Sequence, residues 1–235
     1  MQSTGDSLLL ALSLVLSGNG DLFEIVVLSL QVSLGATGLA CIIGLPIGAS
    51  VAMARFRGRG VLLILMNALM GLPPVVVGLL VYLYLSRAGP LGFLGLLYTP
   101  TAMIIAQTIL IAPIVAALSR QVLQDLHAEY ADQFRSLCLT RWQAGPALLW
   151  DGRFALMTVA LAGFGRAVAE VGAVMIVGGN IDHLTRVMTT AIALETSKGD
   201  LGLALALGII LLVIAMSVNA AVQALQQTAG RWAHG

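Results

Sequence analysis

Apolar and polar residues fall along this chain in blocks. Five apolar blocks, residues 24–53, 61–85, 99–118, 154–177 and 201–222, are separated by polar connections, of which 119–153 is the longest. Each block is long enough to cross about 30 Å of hydrocarbon, which takes roughly 20 residues. In lipid every backbone N–H and C=O must bond within its own segment, so each block is predicted to be a helix. The alternating short segments of an outer-membrane barrel are not the pattern here. The expected fold class is an all-α membrane protein with about five transmembrane helices.

The N-terminal apolar run, 7–16, is too short to span and no cation precedes it, which argues against a cleaved signal peptide. Residues 1–21 are therefore expected to form an interfacial or half-buried segment, with the membrane domain over 22–225 and a tail over 226–235.

Direction follows from the cations. Arg55, Arg57, Arg59, Arg120, Arg135, Arg141, Arg153 and Arg231 fall on one side, against Arg87, Arg186 and Lys198 on the other. Eight against three places the N-terminus outside and the long loop and C-terminus in the cytoplasm. No internal repeat is visible, which disfavours the many secondary transporters built from paired repeats. A path between two copies of the chain suits a single-repeat layout, and C2 dimers are the commonest closed assembly.

Composition agrees. Of 235 residues 59% are hydrophobic and 10% charged, with a mean hydropathy of +0.97. A soluble domain carries about 25% charged residues. The net charge of +1 gives no argument for a nucleic-acid partner. Cys41 and Cys138 form no disulfide framework or zinc spacing, so no metal site is expected.

The long polar loop has its own order. Leu126, Tyr130, Phe134 and Leu137 follow helical spacing on one face, with Asp125, Glu129, Asp132 and Arg135 around the others. Thr140 and Gln143 fit a capping box that opens a second short helix, which Gly145-Pro146 is expected to limit. The pair would lie on the cytoplasmic face. It either plugs a groove in a soluble partner or packs only on its own helix ends.

The run Asp132-Gln-Phe-Arg-Ser-Leu-Cys-Leu-Thr-Arg-Trp-Gln-Ala144 resembles the EAA loop of ABC importer permeases. That loop reads Glu-Ala-Ala, three residues, then Gly. Here Asp132 stands for the Glu, Gln133 and Phe134 for the alanines and Cys138 for the Gly, and Trp150-Asp151 replaces a later Leu-Pro. Met70-Gly-Leu-Pro-Pro-Val-Val-Val-Gly78, Gly163-Phe-Gly-Arg166, Glu170-Val-Gly-Ala-Val-Met-Ile-Val-Gly-Gly-Asn180 and Thr189-Thr-Ala-Ile-Ala-Leu-Glu-Thr-Ser-Lys-Gly199 are similar to tungstate-type permeases, with looser likeness to molybdate and sulfate permeases.

The resemblance implies a type I importer permease in the cytoplasmic membrane of a prokaryote. It implies a homodimer fed with an oxyanion by an extracytoplasmic binding protein and driven by two ATPase subunits. Residues 124–153 would be the coupling loop, with Asp132, Phe134, Arg135, Leu137, Cys138, Arg141 and Trp142 at the ATPase contact. The sequence holds no Gly-x-x-x-x-Gly-Lys-Ser/Thr motif. ATP and its Mg2+ are therefore expected on the separate ATPase, with no catalytic residue and no bound cofactor in this chain. The rivals are a stand-alone channel or secondary transporter, which should show paired carboxylates in the membrane, and a scaffold, which has no need of broken helices.

Polar groups inside the blocks give the pore and gate candidates. Arg166 and Glu170 are four apart and share a helix face. A charge at mid-membrane costs about 2.5–3.5 kcal/mol, so that face should look into the bundle or a wet cavity. Either Arg166 lines an anion path, or the pair is a self-neutralising brace. The brace fits better, because an importer should not hold its cargo tightly midway. Pro73-Pro74 must kink the second block, as a gate or a packing bend. Met175 is a gap-filler or a gate. Asn180, Thr189 and Thr190 are uncharged donors for a passing oxyanion, or caps of helix ends.

Overall fold

The computed structural model describes residue 13, residues 20–54 and residues 56–233, the side chains of Arg141 and 225–233 excepted. The expectations for residues 1–12 and 14–19, for Arg55, and for the Arg141 and Arg231 side chains fall outside the described residues.

Among the described residues every regular element is helical. In chain order these are α1 (Gly20–Met53), α2 (Arg59–Met70), α3 (Pro74–Leu85), a 3-10 turn (Gly92–Leu94), α4 (Pro100–Glu129), α5 (Ala131–Ser136), α6 (Arg141–Asp151), α7 (Arg153–Val168), α8 (Gly172–Gly178), α9 (Met188–Lys198) and α10 (Leu201–Ala233). Three helices, α1, α4 and α10, are each long and apolar enough to cross a membrane; counting each of two bent pairs as one span raises the number to five. Their exteriors suit lipid: Ile42 on α1, Leu80 and Leu83 on α3 and Leu212 and Met216 on α10 are exposed.

Three of the five predicted blocks change shape. The second is two helices, α2 and α3, bent by 93°, because Pro73 caps α3 in an extended conformation and Pro74 occupies its first turn. The third does not stop at residue 118. It continues as one helix to Glu129, since Leu123 and Leu126 keep an apolar face in a buried cluster. The fourth is not continuous over 154–177. Helix α7 ends at Val168 and α8 begins at Gly172, while α6 and α7 form the other bent pair, at 71°.

The helices divide between two compact units, with α1, α4, α7 and α10 contributing to both. Unit one takes the described part of Met1–Ala36 with Pro73–Gln107 and Gly165–Asn219. Its core joins Val32, Met103, Val174 and Val187. Within it α3 and α8 meet backbone to backbone: a Cβ on Gly78 would lie 2.8 Å from the Ala173 Cα.

Unit two takes Thr37–Leu72, Thr108–Phe164 and the described part of Ala220–Gly235. Ala52, Met53, Leu123, Ala144, Leu148 and Leu156 form one cluster, which fixes α6 against the ends of α1 and α4. Val51, Met66, Ala116 and Ala117 form a second, with Met70 at its edge, and it fixes α2. The α1–α4 approach depends on Gly44 and Gly48, where a Cβ would come within 2.8 Å of the Ala112 and 2.5 Å of the Ala116 carbonyl oxygens. Small residues let membrane helices close in this way.

Candidate functional site

Two groups of polar and aromatic residues stand out, one in each unit. In unit two, α4 gives way to α5 and α6 on a surface. Leu126, Tyr130 and Phe134 turn inward onto the buried cluster. Phe134 stacks on His127 at 5.7 Å and tilts against Tyr130 at 5.9 Å. The Tyr130 hydroxyl donates to Asp151 at 2.8 Å, tying the start of α5 to the end of α6. That hydrogen bond, with the carboxylate's charge, raises the Tyr130 phenol above its ordinary value.

Helix α5 ends in a Schellman turn. The Leu139 N–H donates to the Phe134 carbonyl at 3.0 Å and the Cys138 N–H to the Arg135 carbonyl at 3.1 Å. Cys138 is left-handed, at φ 53°. Glycine is the usual residue at this position of the motif because it has no Cβ to clash. The glycine of the EAA pattern thus has a physical cause, and Cys138 fills its place under strain. The reversal also moves Leu137 off the inward face. Predicted to continue the Leu126–Phe134 stripe, it is exposed.

Thr140 then caps α6. Its hydroxyl accepts from the Gln143 N–H, and the Gln143 side chain accepts from the Thr140 N–H at 2.9 Å. Gly145-Pro146 does not limit this helix, which runs on to Asp151. Buried Ala144 and Leu148 hold it in place beyond the proline. The outer face is aromatic and charged: Trp142 and Trp150 are exposed, the Arg153 guanidinium lies 4.8 Å over the Trp150 ring, and Asp132 and Arg135 pair at 3.1 Å in solvent.

In unit one, the gap between α7 and α8 is filled by a polar node. Glu170 is 4% exposed and its Oε2 accepts from Arg166 Nη1 at 2.6 Å. Its Oε1 accepts from the Ala173 N–H at 3.2 Å, in the first turn of α8. Its backbone carbonyl accepts from the Thr189 hydroxyl at 2.7 Å, at the start of α9. One residue therefore ties together three helix ends. Arg166 remains 39% exposed.

The other candidates lie around this node. Thr190 is buried, with its hydroxyl taking the Val187 N–H at 3.2 Å and donating to the Val187 carbonyl at 3.1 Å. Asn180 donates to the Thr190 carbonyl at 3.4 Å. Thr189 and Thr190 thus hold helix ends with the same hydroxyls that were considered for an oxyanion. Met175 is half-buried in α8. Pro73 and Pro74 open α3, whose Val75 Cγ2 would lie 2.9 Å from a Cβ on Gly172.

Three members of unit one's network were not singled out from the sequence. Gln107 donates to the Ala167 carbonyl at 3.1 Å. Ser29 accepts from the Met188 N–H at 2.7 Å. Thr185 donates to the Gly178 carbonyl at 2.6 Å. The signal was present for the first two: each is a polar side chain inside a predicted span, where an unpaired donor or acceptor is costly.

Known proteins with this sequence pattern place the chain. The model of the binding-protein-dependent transport system inner membrane component matches residues 44–231. The chain belongs to that family. As a member of this family it is a multi-pass membrane protein and a transport component. It is 40% identical over 217 residues to the tungstate uptake system permease protein of Peptoclostridium acidaminophilum, covering 92% of this chain and 95% of that protein. It is 41% identical over 204 residues to a protein of Haloferax volcanii named a probable anion ABC transporter permease protein, covering 85% and 88%. It is 38% identical over 173 residues to the tungstate uptake system permease protein of Campylobacter jejuni, covering 74% and 72%.

Proposed function

We propose that this permease carries an oxyanion, tungstate first, across the cytoplasmic membrane of a prokaryote as the spanning subunit of an ATP-driven importer. The observation that carries the reading is the likeness to tungstate uptake permeases, which runs through both helix breaks and the 124–153 surface. A second copy of the chain completes the path. An extracytoplasmic binding protein delivers the anion at the side of the N-terminus and the 179–187 connection. The C-terminus lies in the cytoplasm.

Two separate ATPase subunits, which hold ATP and Mg2+, grip the α5–α6 pairs. This pair is suited to transmit force. Its inner face is fixed by Phe134, Tyr130 and Leu148, and its outer face offers Trp142 and Trp150, of the residue type that dominates protein interfaces. Closing of the ATPases moves the pair, and the motion shifts a two-state equilibrium of the spans. Arg166 acts as the brace that keeps Glu170 neutralised through that cycle.

The test is co-purification with candidate ATPases, then uptake in liposomes with tungstate and with molybdate and sulfate as competitors. ATP-dependent tungstate uptake that needs the binding protein is expected. Anion flux through this chain alone without ATP would sink the reading. Asp132→Ala with Arg135→Ala should weaken ATPase association; unchanged coupling would mean that the docking surface lies elsewhere.

A further inference from the structure

Unit two holds a cavity of about 420 Å3 where the end of α4 and α5 face the start of α2. Arg59, Gln124, His127 and Arg135 give its wall a cationic, donor-rich side, while Phe134 and Leu139 give it an apolar one, and no carboxylate lines it among the described residues. The donors are prepared for an acceptor. Arg59 uses its Nε on the Val51 carbonyl, at 3.4 Å. The Gln124 Oε1 accepts from Arg120 at 2.6 Å, which leaves its amide nitrogen to donate. Among the described residues the Arg135 side chain pairs with Asp132 in solvent, a kind of contact worth little and readily exchanged.

We propose that this cavity binds a tetrahedral oxyanion group, carried on a phospholipid headgroup or free in solution. Guanidinium forks match such oxygens in geometry as well as charge. The volume lies in the range of small-molecule sites, and the Phe134–Leu139 side can take the organic part of an ester. Basic pockets at the membrane surface are a known form of anionic headgroup recognition. A ligand here joins the start of α2 to α5, so the position of the α5–α6 surface becomes sensitive to occupancy. The proposal goes beyond the transport reading and does not depend on it.

The test uses the full-length purified chain in two arms. In a neutral detergent, inorganic phosphate and tungstate are titrated at low and high salt. In nanodiscs of phosphatidylcholine with or without phosphatidylglycerol, retained anionic lipid is counted by native mass spectrometry. Arg59→Gln with Arg135→Gln should weaken binding or retention about tenfold or more, since each charge-assisted bond contributes on the scale of tenfold. Arg57→Gln, outside the cavity, should change it by about twofold at most, in line with a screened surface charge. The conservative pair Arg59→Lys with Arg135→Lys should fold and keep part of the affinity. This covers the case in which the Gln pair does not fold. Free-anion binding in detergent assigns a soluble source, and lipid retention alone assigns the headgroup; either supports the site. The proposal is overturned by no binding in either arm, by an equal effect of Arg57→Gln, or by Arg59 shielded from phenylglyoxal only when an ATPase is docked.

Discussion

The chain interrupts its apolar helices by two different means. Between α2 and α3 the cause is covalent. Pro73 sits at φ −65° and ψ 121° with Pro74 at the first helical position, and the helical region is disfavoured for a residue before proline. Between α7 and α8 there is no proline. There the break coincides with contacts that Glu170 makes to Arg166, to the Ala173 N–H and to Thr189. A break of the first kind is favoured by the chain's own covalent geometry, whereas one of the second kind depends on its partners. Under the proposed transport reading, the second is where movement can be controlled.

Both breaks lead into the same contact, α3 against α8, and removing it should have the largest effect. Gly78→Leu puts a side chain where even a Cβ would lie 2.8 Å from the Ala173 Cα. Backbone cannot yield as a side-chain tip can. A destabilisation of about 3 kcal/mol or more is expected, seen as loss of the monodisperse peak in size-exclusion chromatography. A variant that elutes and melts like the parent would show that the two helices do not abut.

The conditional break is tested next. Arg166→Ala leaves the Glu170 carboxylate buried without its cation. Fully buried pairs lose about 3–5 kcal/mol on such a change, and the exposure of Arg166 puts the expected loss at or below the lower end. The melting temperature in detergent should fall along with uptake. Adding Glu170→Gln should restore part of the stability, because the uncompensated charge is then gone. Normal assembly with selective loss of anion uptake would instead place Arg166 on the path.

Where covalent geometry alone decides, effects should be smaller and local. Cys138→Gly relieves a left-handed residue whose strain is about 1–2 kcal/mol, offset by the greater freedom glycine has when unfolded. A gain of about 1 kcal/mol or less is expected in thermal unfolding. A loss would mean that the Cys138 side chain makes a contact worth more than the strain. Pro73→Ala should cost less still, because Pro74 continues to restrict residue 73 and keeps the bend.

The same contrast explains what could be read in the sequence. Devices carried by one or two residues were legible: the prolines at 73 and 74 and the Thr140–Gln143 capping box. The α7–α8 break was not, because Arg166 and Glu170 stand four apart, the spacing a continuous helix would give them. The stripe through Leu126, Tyr130 and Phe134 was legible, but its extension to Leu137 failed where the Schellman turn reverses the chain. Gly145-Pro146 misled in the other direction, since buried Ala144 and Leu148 carry α6 past the proline. The inward turn of Thr189 and Thr190 depends on where the break at 169–171 places α9, which no local pattern encodes.

The mildest conditional contact is at the edge of unit one. His183 Nδ1 lies 2.8 Å from Glu24 Oε2 and joins the 179–187 connection to α1. The hydrogen bond to Glu24 comes first, and the charges of Glu24, Asp182 and Asp21 add to it. Together they raise the imidazole above its ordinary 6.5, against a small opposing effect of burial. The folded protein therefore holds this proton more tightly than the unfolded chain. Any stabilisation is fully present below about pH 6.5 and is lost as pH rises through the higher folded value. Both side chains are well exposed, at 64% and 47%, so salt should screen the effect. His183→Gln should flatten the melting temperature against pH above 6.5 and leave every other transition in place. A parent protein whose melting temperature does not fall across that window, at low salt, would show that the pair exerts no hold on the connection. It would leave the Ser29–Met188 hydrogen bond and the packing of Val32 with Val187 as contacts that anchor α9 to α1.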